Sequence, residues 1–125
     1  MRRIRSKGMK PEMIVRKLAH AMGYRYRLHA KDLPGKPDMV FPARRRVIFV
    51  HGCFWHQHAA KGCKIARIPR SNREYWLPKL QRNVERDQAH CRALRRDGWG
   101  VMTVWECQTK DTAGLQRRLR RFLGD

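Results

Sequence analysis

Apolar residues recur at helical spacing from the start of the chain. Ile14, Leu18 and Ala21/Met22 lie between Pro11 and Gly23, which predicts a first helix over 11–22 with proline in its opening turn, Glu12 beside it and glycine as its stop. From Tyr24 to His29 the period shortens to two. Tyr24, Tyr26 and Leu28 alternate with Arg25, Arg27 and His29, the pattern of a half-buried strand. DLPGKP is turn chemistry, and DMVF and RRVIFV, joined by PARR, read as two short strands in a hairpin. No period is visible from His51 to about Arg73, so that stretch is predicted to be loop. Leu80, Val84, Cys91 and Leu94 then define a long helix over 77–96, with Pro78 in its first turn and Gly98 as its stop. VMTVWE follows as a buried strand, with Trp99 and Trp105 expected in the core. AGLQRRLRRFL is an amphipathic helix with Leu115, Leu119 and Phe122 on one side and arginines on the others. The order α-β-β-β-α-β-α, without repeat or linker, predicts one α/β domain over residues 1–125, with helices flanking a small mixed sheet.

Charge narrows the choice of partner. The 125 residues carry 30 Lys+Arg against 10 Asp+Glu, a net charge of +20 spread along the chain. Such a field attracts polyanions, and nucleic acid comes ahead of an anionic membrane surface as the expected partner. No apolar run approaches the length of a spanning helix, and MRRIRSKGMK has no signal-peptide pattern, so an intracellular protein is expected. Without an export signal, Cys53, Cys63, Cys91 and Cys107 suggest metal binding for some thiols rather than disulfides.

Three constellations carry chemistry, each with a plainer alternative. Cys53, His58 and Cys63 are spaced Cys-x4-His-x4-Cys, and Cys107 ends the last strand; together they form a Cys3His set that tetrahedral zinc accepts. Spacing alone leaves open that these thiols are small buried hydrophobes, and Cys91, on the apolar face of the long helix, is read that way. Asp38 opens one hairpin strand and His51 closes the other. Antiparallel pairing brings those ends together, where a carboxylate and main-chain carbonyls suit magnesium and a histidine suits proton transfer. A turn aspartate and a loop histidine are the alternative, as are a helix-dipole role for Glu12 and helix-surface ion pairs for Asp87. Phe54, Trp55 and Trp76, amid positive charge, are suited to stacking on bases or wedging between them, or to a satellite hydrophobic cluster under a loop.

Taken together, LPGKPDMVF, VIFVHGCFWHQH, NREYWLPKLQRNVERD and LRRDGWGVMTVWEC resemble the very-short-patch mismatch repair endonucleases, in that order and over nearly the whole chain to Cys107. The resemblance implies a restriction-endonuclease-like fold, a variant of the PD-(D/E)xK nucleases. It also implies nicking of one DNA strand at T:G mismatches, which arise when 5-methylcytosine deaminates. Asp38 is similar to that family's magnesium-binding aspartate, and Val50 stands where a threonine stands in relatives, its main-chain carbonyl being the expected second ligand. His51 and His56 resemble the catalytic histidines. Glu12 and Asp87 resemble the acids that support those histidines and the metal-bound waters. Cys53, His58, Cys63 and Cys107 match the structural zinc ligands, and Phe54, Trp55 and Trp76 match the aromatics that enter the duplex beside the mismatch. Two departures stand out: HAAKGC lengthens the loop to Cys63, and relatives carry additional N-terminal residues that grip DNA, a grip expected here to be either reduced or supplied by the basic MRRIRSK segment.

The resulting expectation is a magnesium-dependent nicking endonuclease with structural zinc, monomeric and without a membrane association. It would act on T:G-containing duplex DNA in the bacterial cytoplasm at the nucleoid, with repair proteins as further partners. Its rivals are a related nuclease with an altered target, serving defence or restriction, and a catalytically silent zinc module that only binds DNA.

Overall fold

The computed structural model describes residues 10–59 and 62–124. Expectations placed on MRRIRSK, and on residues 60 and 61 of HAAKGC, lie outside them. The elements in chain order are α1 (Pro11–Ala21), β1 (Arg27–Leu28), β2 (Met39–Phe41), β3 (Arg46–His51), α2 (Arg73–Arg96), β4 (Gly100–Trp105) and α3 (Thr112–Leu123). Single turns of 3-10 helix lie at Pro42–Arg44 and Glu106–Lys110. The element order expected from the pattern is the one found.

The sheet runs β1-β2-β3-β4. The first two pairings are antiparallel and β3–β4 is parallel, with α2 as the crossover. β3 is β-branched and apolar because it is paired on both sides and covered on both faces. Met39, Ile48 and Val104 pack with Val15, Leu18 and Ala19 of α1 and Leu115, Leu119 and Leu123 of α3. Val40, Val47 and Phe49 pack on the opposite face against Leu94 of α2, with Cys91 and Trp99 half-buried beside them. The alternation along β3 therefore carries His51 onto the α2 face, together with Val47 and Phe49.

Several details differ from the periodicity. The strand over 24–29 shrinks to Arg27–Leu28, because β2 offers only Met39 and Val40 as its partners. Tyr24 instead goes into the core, with its hydroxyl on the Gly124 carbonyl, and Tyr26 donates to the Arg16 carbonyl at 2.8 Å. α1 buries the expected Ile14 and Leu18 and packs Met22 against the core, adds Val15 and Ala19 to the stripe, and leaves Ala21 exposed. α2 starts a turn earlier than Leu77, which leaves Pro78 inside the helix rather than in its first turn. The carbonyl that Pro78 cannot satisfy belongs to Glu74, an exposed residue open to solvent. In α3, Leu123 rather than Phe122 completes the buried stripe. Trp99 and Trp105 are only partly buried: Trp99 lies under the Arg45 guanidinium, 4.6 Å from its ring centroid, and Trp105 faces the clusters described next.

Candidate active site and metal centre

The hairpin β2–β3 determines where Asp38 stands. The turn before it passes through Gly35 at φ +75°, a conformation that suits glycine, and a side chain there would collide with His90 of α2. Register Met39↔Ile48 then brings the Asp38 carboxylate to the end of β3, where Oδ2 accepts the Val50 N–H at 2.7 Å. Burial pushes the Asp38 carboxyl above its usual range. The Val50 N–H and nearby His29 oppose that shift, and Glu12 adds to it. Glu12, in the first turn of α1, lies with Nε2 of His29 3.1 Å from its Oε1. Ligand atoms of Glu12, His29 and Asp38 all lie within 4.8 Å of one another. Two carboxylates placed so close favour a shared cation, which removes their mutual repulsion.

The imidazole pair stands next to Val50 in sequence. His51, the buried last residue of β3, is stacked on His56 with ring centroids 3.8 Å apart and planes 8° from parallel. The loop after β3 turns back through the His56 N–H to the Gly52 carbonyl, which makes this stacking possible. Nδ1 of His56 meets Oδ2 of Asp87 at 2.6 Å across from α2. A carboxylate partner assigns the proton to Nδ1 and leaves Nε2 as the second functional nitrogen. Burial, reinforced by the neighbouring His56 and partly opposed by Asp87, pushes His51 down to about 4. His51 is therefore a neutral base at physiological pH. Glu12 stands on the Asp38 side of the site and Asp87 on the imidazole side, a division that the resemblance alone did not make.

The thiol cluster follows from the parallel pairing. His51 pairs with Trp105, and two residues further along each strand stand Cys53 and Cys107. The Cys107 N–H reaches Cys53 Sγ at 3.4 Å, and His58 Nδ1 lies 3.3 Å from Cys107 Sγ and 3.7 Å from Cys53 Sγ. Cys63 completes a set whose donor atoms all lie within 4.8 Å. A tetrahedral ion with bonds of ~2.3 Å to sulfur has edges of roughly 3.7 Å, so this cluster has the size of one coordination sphere. Burial pushes the Cys53 thiol up to about 12, a thiol that ionises at neutral pH only if a cation takes the place of its proton. At Cys63 desolvation also acts upward, but N–H groups of Ala66 and Ile65 and the neighbouring thiols outweigh it and bring the group below its usual range. The four residues form a cluster able to hold a metal ion.

Trp105 touches both clusters, stacked on His58 with centroids 4.4 Å apart and meeting His51 in a T-shaped contact at 5.4 Å. It is a wall of the site rather than core. Phe54, Trp55 and Trp76 form a triangle of edge contacts with centroids 5.2 to 5.8 Å apart. The side-chain amide of Asn83 donates to the Trp55 carbonyl at 3.1 Å, and Gln57 donates to the carbonyls of Phe54 and Ala66, so the loop is tied to α2 and to itself. Trp55 is 48 % exposed and neighbouring Tyr75 is 59 % exposed, which makes this an uncovered aromatic surface rather than a closed satellite core. Sequence reasoning missed His29, which was hidden in a strand pattern. It also missed Trp105, hidden in an apolar run, and Asn83 and Tyr75, which carried no pattern at all.

Every predicted site residue therefore gathers at one end of the sheet, beyond the carboxyl ends of β3 and β4, where open α/β sheets place their ligands. The arrangement brings together acids, paired imidazoles, a soft-donor cluster and exposed aromatics on a strongly basic chain. The family described as "DNA mismatch endonuclease Vsr" matches residues 1–62. The chain is 53 % identical over 123 residues to the Type II nicking enzyme V.XorIIP of Xanthomonas oryzae pv. oryzae, covering 98 % of this chain and 88 % of that protein. It is 42 % identical to the Type II nicking enzyme V.NmeAIP of Neisseria meningitidis, covering 98 % and 86 % of the two chains. It is 40 % identical over 107 residues to the DNA mismatch endonuclease Vsr of Escherichia coli, covering 86 % of this chain and 67 % of that one. The chain belongs to the Vsr family of DNA endonucleases and nicking enzymes. Among the described residues no helix is long and apolar enough to cross a membrane.

Proposed function

We propose that this endonuclease is a magnesium-dependent enzyme of very-short-patch repair, which hydrolyses the phosphodiester 5′ of T in T:G mismatches left by 5-methylcytosine deamination. The observation that carries the reading is the meeting of the Glu12–Asp38 acids and the His51–His56–Asp87 array at one sheet end beside exposed Trp55. The fold is then a PD-(D/E)xK variant in which histidines stand where an acid and a lysine usually do. The chain acts as a single monomeric domain on duplex DNA at the nucleoid, in the bacterial cytoplasm, with repair proteins as further partners.

Asp38, with the Val50 main-chain carbonyl, holds magnesium. Magnesium held there would supply charge stabilisation for the scissile phosphate and more acidic waters. His51, neutral because it is buried, accepts a proton from the attacking water. His56, oriented through Nδ1–H by Asp87, acts in its imidazolium form, giving its Nε2 proton to the leaving oxygen and retaining the Nδ1 proton. Val50 serves because a main-chain carbonyl needs no hydroxyl; its side chain packs against the core shared with α1 and α3. Cys53, His58, Cys63 and Cys107 hold zinc, which fixes the loop presenting His56, Phe54 and Trp55. Phe54, Trp55 and Trp76 enter the duplex at the mismatch. A wobble pair stacks less well than a Watson–Crick pair, so opening that step costs less.

Labelled duplexes containing T:G, the other mismatches and a matched pair, incubated with magnesium, test this directly. A nick on the T strand just 5′ of T, with matched DNA cut far more slowly, is expected. Equal cutting of matched and T:G duplexes would favour the second reading, a nuclease with an altered target in restriction or defence. The relatives named Type II nicking enzymes keep that reading in view. The silent-module reading fits poorly with a family of endonucleases and with acid and imidazole clusters that DNA binding alone does not require.

A further inference from the structure

His29 has no assigned part in the reaction, yet it points into the acidic half of the site. It lies one residue beyond β1 at φ +49°, in the left-handed region that histidine enters more readily than most residues. Its N–H donates to the Asp38 carbonyl at 3.1 Å, which extends the β1–β2 pairing and holds the ring beside the acids. Its Nε2 lies 3.1 Å from Glu12 Oε1, the separation of an ion pair. That same oxygen is nevertheless buried and has no hydrogen-bond partner among the described residues. The separation suits a hydrogen bond and the direction does not, so the two atoms approach without a proton aligned between them. Cis ligands on an octahedral cation with bonds of ~2.1 Å stand roughly 3.0 Å apart, and trans ligands roughly 4.2 Å. The Glu12, His29 and Asp38 donor atoms, all within 4.8 Å of one another, match that scale.

We infer that His29 is a protein ligand for nitrogen-accepting divalent cations at the Asp38–Glu12 site, where its imidazole tunes which cation the site prefers. The inference rests on the reading that Asp38 holds a divalent ion. Magnesium is hard, prefers oxygen and keeps its waters, whereas manganese and cobalt accept a nitrogen donor readily. The His29 side chain is 56 % exposed, so it swings away at little cost and leaves its position to water. With magnesium a water fills the position; with manganese His29 binds.

Calorimetric titration of the zinc-replete protein with Mn2+ and with Mg2+, in wild type, His29→Asn and Asp38→Ala, tests this, together with electron spin-echo modulation from nitrogen bound to Mn2+. Asparagine tolerates the left-handed backbone, so His29→Asn folds. The expected result is a loss of Mn2+ affinity of roughly tenfold or more in His29→Asn, with Mg2+ affinity changed less than about threefold and the nitrogen modulation gone. Equal effects on both ions, or nitrogen modulation that persists in His29→Asn, would overturn the inference and leave His29 a plain ion-pair partner of Glu12. Wild-type binding of both ions by Asp38→Ala would instead overturn the placement of the cation at Asp38, a separate result.

Discussion

The two donor clusters at the end of the sheet contrast in almost every physical respect. Cys53, His58, Cys63 and Cys107 are soft donors that close on one another, reached through two paired strand ends and a loop that returns to them. Glu12, His29 and Asp38 are mostly hard donors, brought from α1, the end of β1 and the start of β2, and His29 remains largely open to solvent. A closed tetrahedral set has no position left for substrate, so its work is to join chain segments. An open set leaves room for water and phosphate, so its work is chemistry. The imidazole pair lies between the two, because His51 ends β3 just before the first thiol and just after the residue that bonds Asp38. In the proposed reading, the thiol cluster holds the loop on which the His51–His56 pair depends.

The sharpest way to break this contrast is to remove a closed-cluster ligand. Cys107→Ser is expected to lose zinc and to lower the melting temperature by ~10 °C or more, since metal binding here is folding free energy. Metal analysis and calorimetry check it, and retention of both zinc and melting temperature would mean that the thiols are merely packed. The open cluster should respond in the opposite way. Asp38→Ala is expected to abolish nicking while keeping zinc, melting temperature and DNA affinity, because a buried carboxylate near phosphate adds repulsion as well as a metal ligand. His51→Ala, measured in the same assays, should slow nicking by ~10²–10⁴ through lost proton transfer, again without releasing zinc. Wild-type rates in either variant would move the active site elsewhere. The smallest effect belongs to the aromatic surface. Trp55→Ala should narrow the preference for T:G over matched duplexes by roughly tenfold, with little change in the salt dependence of binding, which arises from phosphate contacts. Unchanged discrimination would take the wedge role away from Trp55.

Much of this architecture is legible in the order of residues alone. Period-two and helical patterns, proline and glycine placement, and the PARR turn determine the order of elements and the hairpin. Those are local signals, carried by neighbours in sequence. The residue types near His51 are likewise enough to nominate the thiol cluster and the imidazoles, and Asp38 stands out in a chain carrying only 10 Asp+Glu, whereas His29 does not. Helix boundaries are less legible: Pro78 misplaces the start of α2 because proline's cost depends on whether the unsatisfied carbonyl faces water, which no local pattern reports.

What only the tertiary structure decided is which of these residues meet. The parallel register His51↔Trp105 sets Cys107 beside Cys53, although 54 residues separate them in the chain. The stacking of His56 on His51, and the reach of Asp87 from α2, depend on how the crossover helix lies on the sheet. His29 reads as one polar position in an alternating strand and becomes a neighbour of two acids, because β1 ends where β2 begins. By itself the sequence determined the elements and the chemical inventory, since periodicity and side-chain chemistry are properties of each residue and its near neighbours. The site itself is a property of register and packing, which set distances between segments that local sequence does not encode.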